Sequence, residues 1–306
     1  MFENIFMVGT QVIILFMLVL IGFISNKAKM FSPKTIKEVT NFVLYIVTPA
    51  TIINSYCREF DKQMFTMLLI AIAASFVSFA LFIAIAHLIV KDKDKERERV
   101  LRFGAVFSNA GFMSLPLQEA ILGQIGLFYG AAYVAVFNIV LWTYGSLHMS
   151  GDKKNISLKS VFINPGVIGT IVGMTVFVLS IKLPSVIHQP VKYIAALNTP
   201  VPMVVLGYHL ANSTFNLKGT SVYVSLFLKH IIMPVMMFLA LWLLGLTGDI
   251  LTSLVISVSA PCAAATTMFA EKYNRDTSLA ASFVSLSMIL SIITMPVMVG
   301  IAMMIK

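Results

Sequence analysis

Residues 104–121 read G-A-V-F-S-N-A-G-F-M-S-L-P-L-Q-E-A-I, and this stretch decides how the chain must fold. It is apolar enough to lie in a membrane, yet it contains Asn109, Gly111 and Pro116. Proline removes a backbone donor and clashes with the preceding turn, and glycine adopts torsions that other residues avoid. A membrane helix interrupted here exposes peptide groups that lipid cannot satisfy. The interruption must therefore face protein or a water-filled cavity.

A second apolar stretch, residues 250–268, carries the same kind of interruption. It includes S-V-S-A-P-C-A-A-A-T-T, with Pro261 near its middle and Ser259 just before it. Two interrupted helices in corresponding places of two halves are the sequence signature of a transporter's binding site.

The composition is that of an all-α polytopic membrane protein. The chain has 306 residues, of which 58% are hydrophobic and 11% charged, whereas about a quarter of an average soluble domain is charged. Apolar runs of about 20 residues, the length that crosses a bilayer, recur from end to end. They predict ten spans, near residues 7–25, 36–56, 64–90, 101–121, 125–148, 164–182, 192–212, 220–246, 249–270 and 277–304.

The basic excess, a net charge of +9, follows the connections between spans. Most Lys and Arg residues fall in the connections after spans 1, 3, 5, 7 and 9, and the positive-inside rule then places both termini outside. The mixed-charge run at 91–99 is predicted to be a solvated inside loop. The charge therefore indicates topology rather than a nucleic-acid surface.

The second half of the chain repeats the first weakly but in order. Thr48-Pro49 in span 2 is matched by Thr199-Pro200 in span 7, and the same spacing added to Ala110 reaches Pro261. The connecting loop 151–163 separates residues 1–150 from 164–306, with five spans in each part. Because five is an odd number, the two halves must have opposite orientations, as in the inverted repeats of secondary carriers.

The interruptions predict an anion site. A broken helix exposes the N–H groups that open its second half, and the helix dipole adds partial positive charge there. Pro116 and Pro261 fit the first position of such a half-helix, with Ser114 and Ser259 as caps. A carboxylate suits this setting for the reason that phosphates bind at helix N-termini. The alternative interpretation is that both prolines only kink packed helices.

Few other side chains in the predicted spans can ionise or orient a ligand. Asn109 and Asn138 are candidates to orient it by hydrogen bonds. Glu119 is a candidate proton carrier or, alternatively, an interfacial residue at the end of span 4. His209 is either a second titrating group or a packing histidine. Lys229 in span 8 is expected to snorkel to the interface. No metalloprotease, serine-hydrolase or Walker motif occurs, so nothing indicates an enzyme.

The motifs S-N-A-G-F-M-S-L-P at 108–116, V-T-P-A at 47–50 and S-A-P at 259–261 resemble the auxin efflux carrier family. That family includes bacterial malate and malonate permeases and plant auxin exporters. The resemblance implies ten helices, a homodimer, and an elevator motion around a crossover of helices 4 and 9. It also implies a scaffold domain of spans 1, 2, 6 and 7 and a transport domain of spans 3–5 and 8–10. The substrate site is expected to include Asn109, Gly111, Pro116, Asn138, Ser259, Pro261, Thr48 and Pro49.

The sequence therefore predicts a secondary carrier for a small organic anion in a bacterial inner membrane, without a cofactor or metal. A bile-acid-type sodium symporter is the alternative within the transporter class, although span 9 offers only Ser and Thr as polar side chains before Glu271. A membrane sensor that binds the same ligand without moving it is the alternative from another class. Substrate, direction and coupling ion stay open.

Overall fold

The computed structural model describes residues 2–155, 157–213 and 218–305, and all regular structure within these ranges is helical. The helices are α1 (Phe2–Lys27), α2 (Pro33–Tyr56), α3 (Lys62–Ile89), α4 (Lys95–Val106), α5 (Ala110–Ser150), α6 (Leu158–Phe162), α7 (Pro165–Val178), α8 (Ser185–Ala211), α9 (Thr220–Leu243), α10 (Gly248–Ser259), α11 (Ala265–Lys272) and α12 (Thr277–Ala302).

Seven of these helices, among the residues that the structure describes, are long and apolar enough to cross a membrane: α1, α2, α3, α5, α8, α9 and α12. The apolar helices α7 and α10 are shorter. Many large apolar side chains on α1, α2, α3 and α7 are exposed, as expected for surfaces that face lipid. The chain is therefore a polytopic, all-helical membrane protein, as the composition predicts.

Helix α5 is 41 residues long and bends at Gly123. Gly123 has φ 61° and ψ −144°, a conformation that residues with a side chain rarely adopt. It divides α5 into a first arm, 110–122, and a second arm, 124–150. The turn expected between spans 4 and 5 therefore lies at this glycine.

The two Thr-Pro pairs follow short segments with a different helical winding. Thr48-Pro49 follows a π-helical turn at Val43–Val47, and Thr199-Pro200 follows a 3₁₀ turn at Ala196–Asn198. Because proline lacks an N–H, the preceding turn loses its regular hydrogen bond and rewinds. Helices α2 and α8 bend at these points but continue.

Close helix crossings are made at glycines. A Cβ on Gly22 of α1 would lie 2.1 Å from the Val204 carbonyl oxygen of α8, and one on Gly207 of α8 would lie 2.0 Å from the Val19 carbonyl oxygen. Small residues allow two membrane helices to pack with their backbones in contact. Helices α1 and α8 are therefore held together along a short, tight contact.

The run at 91–99 is a loop only as far as Asp94, and it is not solvated throughout. Helix α4 begins at Lys95, and the Glu98 side chain is buried against Arg102, with 2.7 Å between carboxylate and guanidinium. Burial alone would raise the pKa of Glu98. The hydrogen bonds from the Asp92 backbone and Lys95, together with the Arg102 charge, outweigh burial and hold the pKa below its ordinary value.

The same face joins four connections of the chain. Arg97 donates to the Lys218 carbonyl oxygen, Arg99 donates to that of His148 at 2.8 Å, and Arg275 donates to those of Met149 and Ser150 at 2.7 and 3.0 Å. The connections α3–α4, α5–α6, α8–α9 and α11–α12 therefore meet at one end of the molecule.

Candidate substrate site at the helix crossover

Two interrupted helices meet where α4 and α10 end. Residues 107–109, after α4, run antiparallel to residues 260–264, after α10, and form a bridge between Ser108 and Cys262. The Asn109 N–H donates to the Pro261 carbonyl oxygen at 2.7 Å, and the Ala263 N–H donates to the Phe107 carbonyl oxygen at 2.9 Å. Each interruption therefore satisfies backbone groups that the other leaves without a helical partner, as a membrane interior requires.

The second half-helices begin elsewhere than at the prolines. Helix α5 starts at Ala110, where the Asn109 side-chain oxygen accepts from the Phe112 N–H at 3.3 Å. Pro116 therefore lies about one turn inside α5, and Ser114 makes no capping bond. The expectation that Ser114 caps a helix opened by Pro116 is wrong, because the Asn109 cap starts the helix earlier.

The second interruption differs in the same way. Pro261 lies within the bridge, four residues before α11 begins at Ala265, and no side chain caps α11. Ser259 is the last residue of α10. The expectation that Pro261 opens the second half-helix with Ser259 as its cap is wrong, because the Pro261 carbonyl holds the bridge and the helix resumes only after it.

Free hydrogen-bond donors remain at the starts of both second half-helices. Within the described part of the chain, the backbone N–H groups of Gly111, Ala264 and Ala265 donate to no protein acceptor. All three residues are half-exposed, and a Cβ on Gly111 would meet nothing within 4 Å. The Ser259 hydroxyl, which is buried, also has no partner. The crossover thus offers accessible backbone donors at two helix N-termini.

A lysine from α9 reaches the crossover. Lys229 is fully buried, and its ammonium donates to the Ser108 hydroxyl oxygen and, at 3.0 Å, to the Val258 carbonyl oxygen at the end of α10. No carboxylate among the described residues forms an ion pair with it. The expectation that Lys229 snorkels to the interface is wrong, because its hydrogen bonds hold it inside the bundle.

A buried glutamine links the first arm of α5 to α10. The Gln118 side-chain nitrogen donates to the hydroxyl oxygens of Ser114 at 2.7 Å and Ser257 at 2.8 Å, and to the Ser253 carbonyl oxygen at 3.2 Å. The Ser253 hydroxyl donates back to the Gln118 carbonyl oxygen at 3.2 Å. Residues on both sides of the crossover are therefore fixed relative to each other by one side chain.

The other helices that contact the bridge do so through hydroxyl groups. The Ser287 hydroxyl of α12 accepts from the Cys262 N–H at 2.7 Å and lies 2.8 Å from the His230 Nε2 of α9. The His230 Nδ1 lies 3.0 Å from the Thr294 hydroxyl. The second interruption is thus fastened to α9 and α12.

Asn138 lies elsewhere, on the second arm of α5. Its side-chain nitrogen donates to the Val134 carbonyl oxygen at 2.9 Å, and its oxygen accepts from the Asn164 side chain at 3.1 Å. Asn164 caps α7 by accepting from the Gly166 N–H at 2.9 Å. The hydrogen bonds of Asn138 therefore lead to the start of α7 and not to Asn109.

Glu119 borders a cavity of about 480 Å³ between α2, α5 and α8. Its carboxylate accepts from the Thr199 hydroxyl at 3.3 Å. The cavity is lined by Asn54, Cys57, Arg58, Glu119, Gln124, His188, Lys192, Ala195 and Ala196. The lining carries charged groups of both signs and two amide side chains, and the cavity is open at the end of α2.

The remaining predicted residues lie in α2 and α8. Thr48 is buried and its hydroxyl has no partner, and Pro49 contacts α7, where a Cβ on Gly169 would lie 2.9 Å from the Pro49 Cα. His209 is exposed, with its ring against Tyr208 at a centroid distance of 5.5 Å.

Comparison with known proteins gives the family. The model of the family described as "Membrane transport protein" matches residues 7–160 and 152–299. The chain belongs to the auxin efflux carrier family. The chain is similar to an uncharacterized transporter of Methanocaldococcus jannaschii, at 23% identity over 92% of this chain and 94% of that one. It is also similar to a Rhizobium meliloti protein named "Putative malonate transporter", at 21% identity over 91% of each chain.

The resemblance stated from the motifs is thereby confirmed, and this member of the auxin efflux carrier family is a membrane transporter and not an enzyme. Sequence reasoning missed two parts of its crossover, the Lys229 contact and the Gln118 network. A lysine inside an apolar span is a signal in itself, because intramembrane charges usually face the protein interior. Gln118, a polar residue inside predicted span 4, was a weaker signal of the same kind, and its partners Ser253 and Ser257 come from a distant part of the chain.

Proposed function

We propose that this carrier moves a small organic anion across the membrane by alternating access, with the substrate bound at the crossover. The observation that carries the proposal is the pair of helix N-termini at the bridge, where the N–H groups of Gly111, Ala264 and Ala265 are free and half-exposed. Backbone donors at helix N-termini attract anions through hydrogen bonds and the helix dipole. Asn109, whose backbone joins the bridge, and the free Ser259 hydroxyl add polar groups beside them.

The architecture we propose is ten membrane crossings in two inverted repeats. The spans are α1, α2, α3, α4 with the first arm of α5, the second arm of α5, α7, α8, α9, α10 with α11, and α12. Helix contacts of one half recur in the other: α1 packs on α8 as α7 packs on α2, and α1 packs on α12 as α7 packs on α5. In one bridge hydrogen bond the donor belongs to the first half and the acceptor to the second, and in the other bond the roles of the halves are reversed. These correspondences support a pseudo-two-fold axis at the crossover.

The motion belongs to the same proposal. A scaffold of spans 1, 2, 6 and 7 stays in place, and a transport domain of spans 3–5 and 8–10 moves past it with the substrate. Buried apolar residues of α1 and α8 lie in one cluster and those of α3 and α9 in another, which supports such a division, whereas α2, α5, α10 and α12 contribute to both clusters. The homodimer is proposed on the family resemblance alone.

The substrate we propose is a small dicarboxylate of the malonate type. A relative carries malonate in its name, and the cavity beside Glu119 has room for such a molecule on its way to the crossover. Arg58 and Lys192 in its lining supply positive charge for an approaching anion. Glu119 is proposed to take part in proton coupling, since its carboxylate links α5 to α8 through Thr199. His209 is the second candidate for that role.

The orientation we propose is both termini outside, in a bacterial inner membrane. The four connections that meet through Arg97, Arg99 and Arg275 belong, with the first loop, to the set that carries most of the Lys and Arg residues of the chain. Connections that touch one another must lie on one side of the membrane. The positive-inside rule makes that side the cytoplasm.

The test is a thermal-shift titration of the purified carrier with malonate, malate, succinate, lactate and indole acetate. A ligand that binds the folded state raises the unfolding temperature, and its rise with concentration gives the affinity. We expect a shift with at least one dicarboxylate, and its loss in Asn109→Ala. Asn212→Ala is the matched control, because Asn212 lies at the end of α8 and donates only to the nearby Tyr208 carbonyl. An unchanged shift in Asn109→Ala would remove the crossover as the binding site, and a folded protein that responds to no anion would contradict the substrate class.

A further inference from the structure

The carbonyl end of α10 lacks its helical partner. In a continuous helix the Val258 carbonyl oxygen would accept from the N–H of Cys262, four residues on. That N–H donates instead to the Ser287 hydroxyl at 2.7 Å. The Val258 oxygen is therefore free for other donors, and it lies at a helix C-terminus, where the dipole adds partial negative charge.

The ammonium group of Lys229 occupies this position. It donates to the Val258 carbonyl oxygen at 3.0 Å and to the Ser108 hydroxyl, which itself lies 3.2 Å from that oxygen. In carriers built on interrupted helices, unwound carbonyls and half-helix C-termini are the groups that coordinate a coupling cation. Lys229 thus places a covalently attached cation on groups of the kind that bind Na⁺.

Other roles for this lysine do not fit its surroundings. An interfacial lysine keeps its charge in water, whereas Lys229 is 0% exposed. A structural ion pair needs a carboxylate, and within the described ranges none lies within 4.0 Å of its nitrogen. Its neighbour His230 is directed to Ser287 and Thr294 on α12. The lysine's polar contacts therefore all lie at the crossover.

We propose that the Lys229 ammonium is a resident cation that takes the place of a coupling Na⁺, so that this carrier has no sodium site at its crossover. The proposal rests on the crossover being the working site of a carrier, as proposed above, and it concerns the cation rather than the transported anion. It separates this chain from a sodium symporter with the same interrupted helices. A fixed ammonium travels with the protein, so no sodium gradient drives the transport cycle through this position.

The experiment uses cations alone. Unfolding temperatures of the purified full-length protein are measured at equal ionic strength in NaCl, KCl and choline chloride, and with added ethylammonium, the missing end of a lysine side chain. We expect the wild type to unfold at the same temperature in all salts. Lys229→Ala should unfold about 5–10 °C lower in choline, since a buried polar cluster loses its donor, and should recover at least half of that loss in Na⁺ or ethylammonium. Lys229→Met, which fills the space without a charge, should be destabilised but not recover.

The control is Lys272→Ala, because Lys272 is exposed and rests on the rings of Trp142 and Tyr273. It should show no salt-specific effect. A Na⁺-specific stabilisation of the wild type would overturn the proposal, as would a Lys229→Met protein as stable as the wild type. If Lys229→Ala can be purified only with Na⁺ or ethylammonium present, that dependence supports the proposal. If it cannot be purified in any salt, the wild-type and Lys229→Met results decide. Because no anion is varied, failure here leaves the Asn109 titration unaffected.

Discussion

Gly130→Ala is expected to disrupt the polar network between α5 and α10. A Cβ built on Gly130 would lie 1.7 Å from the Gln118 carbonyl oxygen and 2.6 Å from its Cδ. A long side chain normally moves aside at little cost. Gln118 cannot, because it is 0% exposed and hydrogen-bonded to Ser114, Ser253 and Ser257.

The magnitude follows from what Gln118 must give up. Each buried polar group left without a partner costs about 1–3 kcal/mol, and inserting a methyl group into a packed interior costs about 1–3 kcal/mol. With one or two hydrogen bonds lost, we expect Gly130→Ala to destabilise the protein by about 2–4 kcal/mol, from both sources. On a Gln118→Ala background there is no carboxamide to displace. The same glycine change should then lie within about 1 kcal/mol of neutral, since alanine is the better helix former.

The assay is a double-mutant cycle on unfolding temperature, followed by the fluorescence of Trp142 and Trp242. At about 2–4 °C per kcal/mol, Gly130→Ala should unfold about 4–16 °C lower than the wild type. Gly9→Ala is the matched control, because a Cβ on Gly9 meets only the Pro296 Cβ at 3.9 Å. An equal loss in the presence and absence of Gln118 would refute the reasoning, since the cost would then come from backbone packing.

Three further predictions concern other parts of the molecule. Gly22→Ala should destabilise more than Gly9→Ala in the same unfolding assay, because its Cβ would meet the Val204 backbone of α8 at 2.1 Å; equal effects would contradict the α1–α8 contact. Because the pKa of Glu98 is lower in the folded protein than in the unfolded chain, its carboxylate stabilises the fold. This stabilisation is complete above the pKa of the unfolded state and is lost as pH falls through the pKa of the folded state. Glu98→Gln should therefore be less stable than the wild type at neutral pH, and the two unfolding temperatures should converge in acid. A difference that stays constant with pH would show that ionisation of Glu98 does not stabilise the fold. Burial raises the pKa of Cys57, so an impermeant maleimide added outside cells should label it faster at alkaline pH and should not label Cys57→Ser. Labelling only after the membrane is opened would reverse the proposed orientation.

Local sequence patterns predicted much of the fold. Apolar runs located the long helices, and the gap between the predicted spans 101–121 and 125–148 contains Gly123, where α5 turns with a φ of 61° that suits glycine. The boundaries near prolines were harder to predict. Pro116 predicted a helix start, but the Asn109 cap and the π-helical turn at Ala110–Ser114 moved that start upstream. A side-chain cap depends on the torsions of the preceding bridge, and that bridge forms only with residues of the other half.

In the candidate site, too, features set by the local sequence were predictable, whereas contacts between distant parts of the chain were not. Asn109 was predicted from its place beside an interruption, and its backbone does join the bridge. The partner of Asn138, which is Asn164 at the cap of α7, depends on how the second arm of α5 packs on α7. No spacing along the chain encodes such a contact. Lys229 is comparable, since a single apolar span cannot reveal that its ammonium will meet the Ser108 hydroxyl and the Val258 carbonyl oxygen.

The hydrogen bonds at the crossover also argue for the charge of the ligand. The carbonyl oxygens of Phe107 and Pro261 accept from the bridge, and that of Val258 accepts from Lys229. Within the described residues, the N–H groups of Gly111, Ala264 and Ala265 donate to no acceptor, and the Ser259 hydroxyl has no partner.

Free N–H donors at the starts of two half-helices favour a ligand that brings hydrogen-bond acceptors. A carboxylate offers two oxygens and a negative charge that the adjoining helix dipoles stabilise. A cationic or donor-rich ligand would not provide acceptors for these N–H groups. The proposed preference for an anion therefore rests on the free N–H groups at the two helix starts, and it requires no basic side chain in direct contact with the substrate.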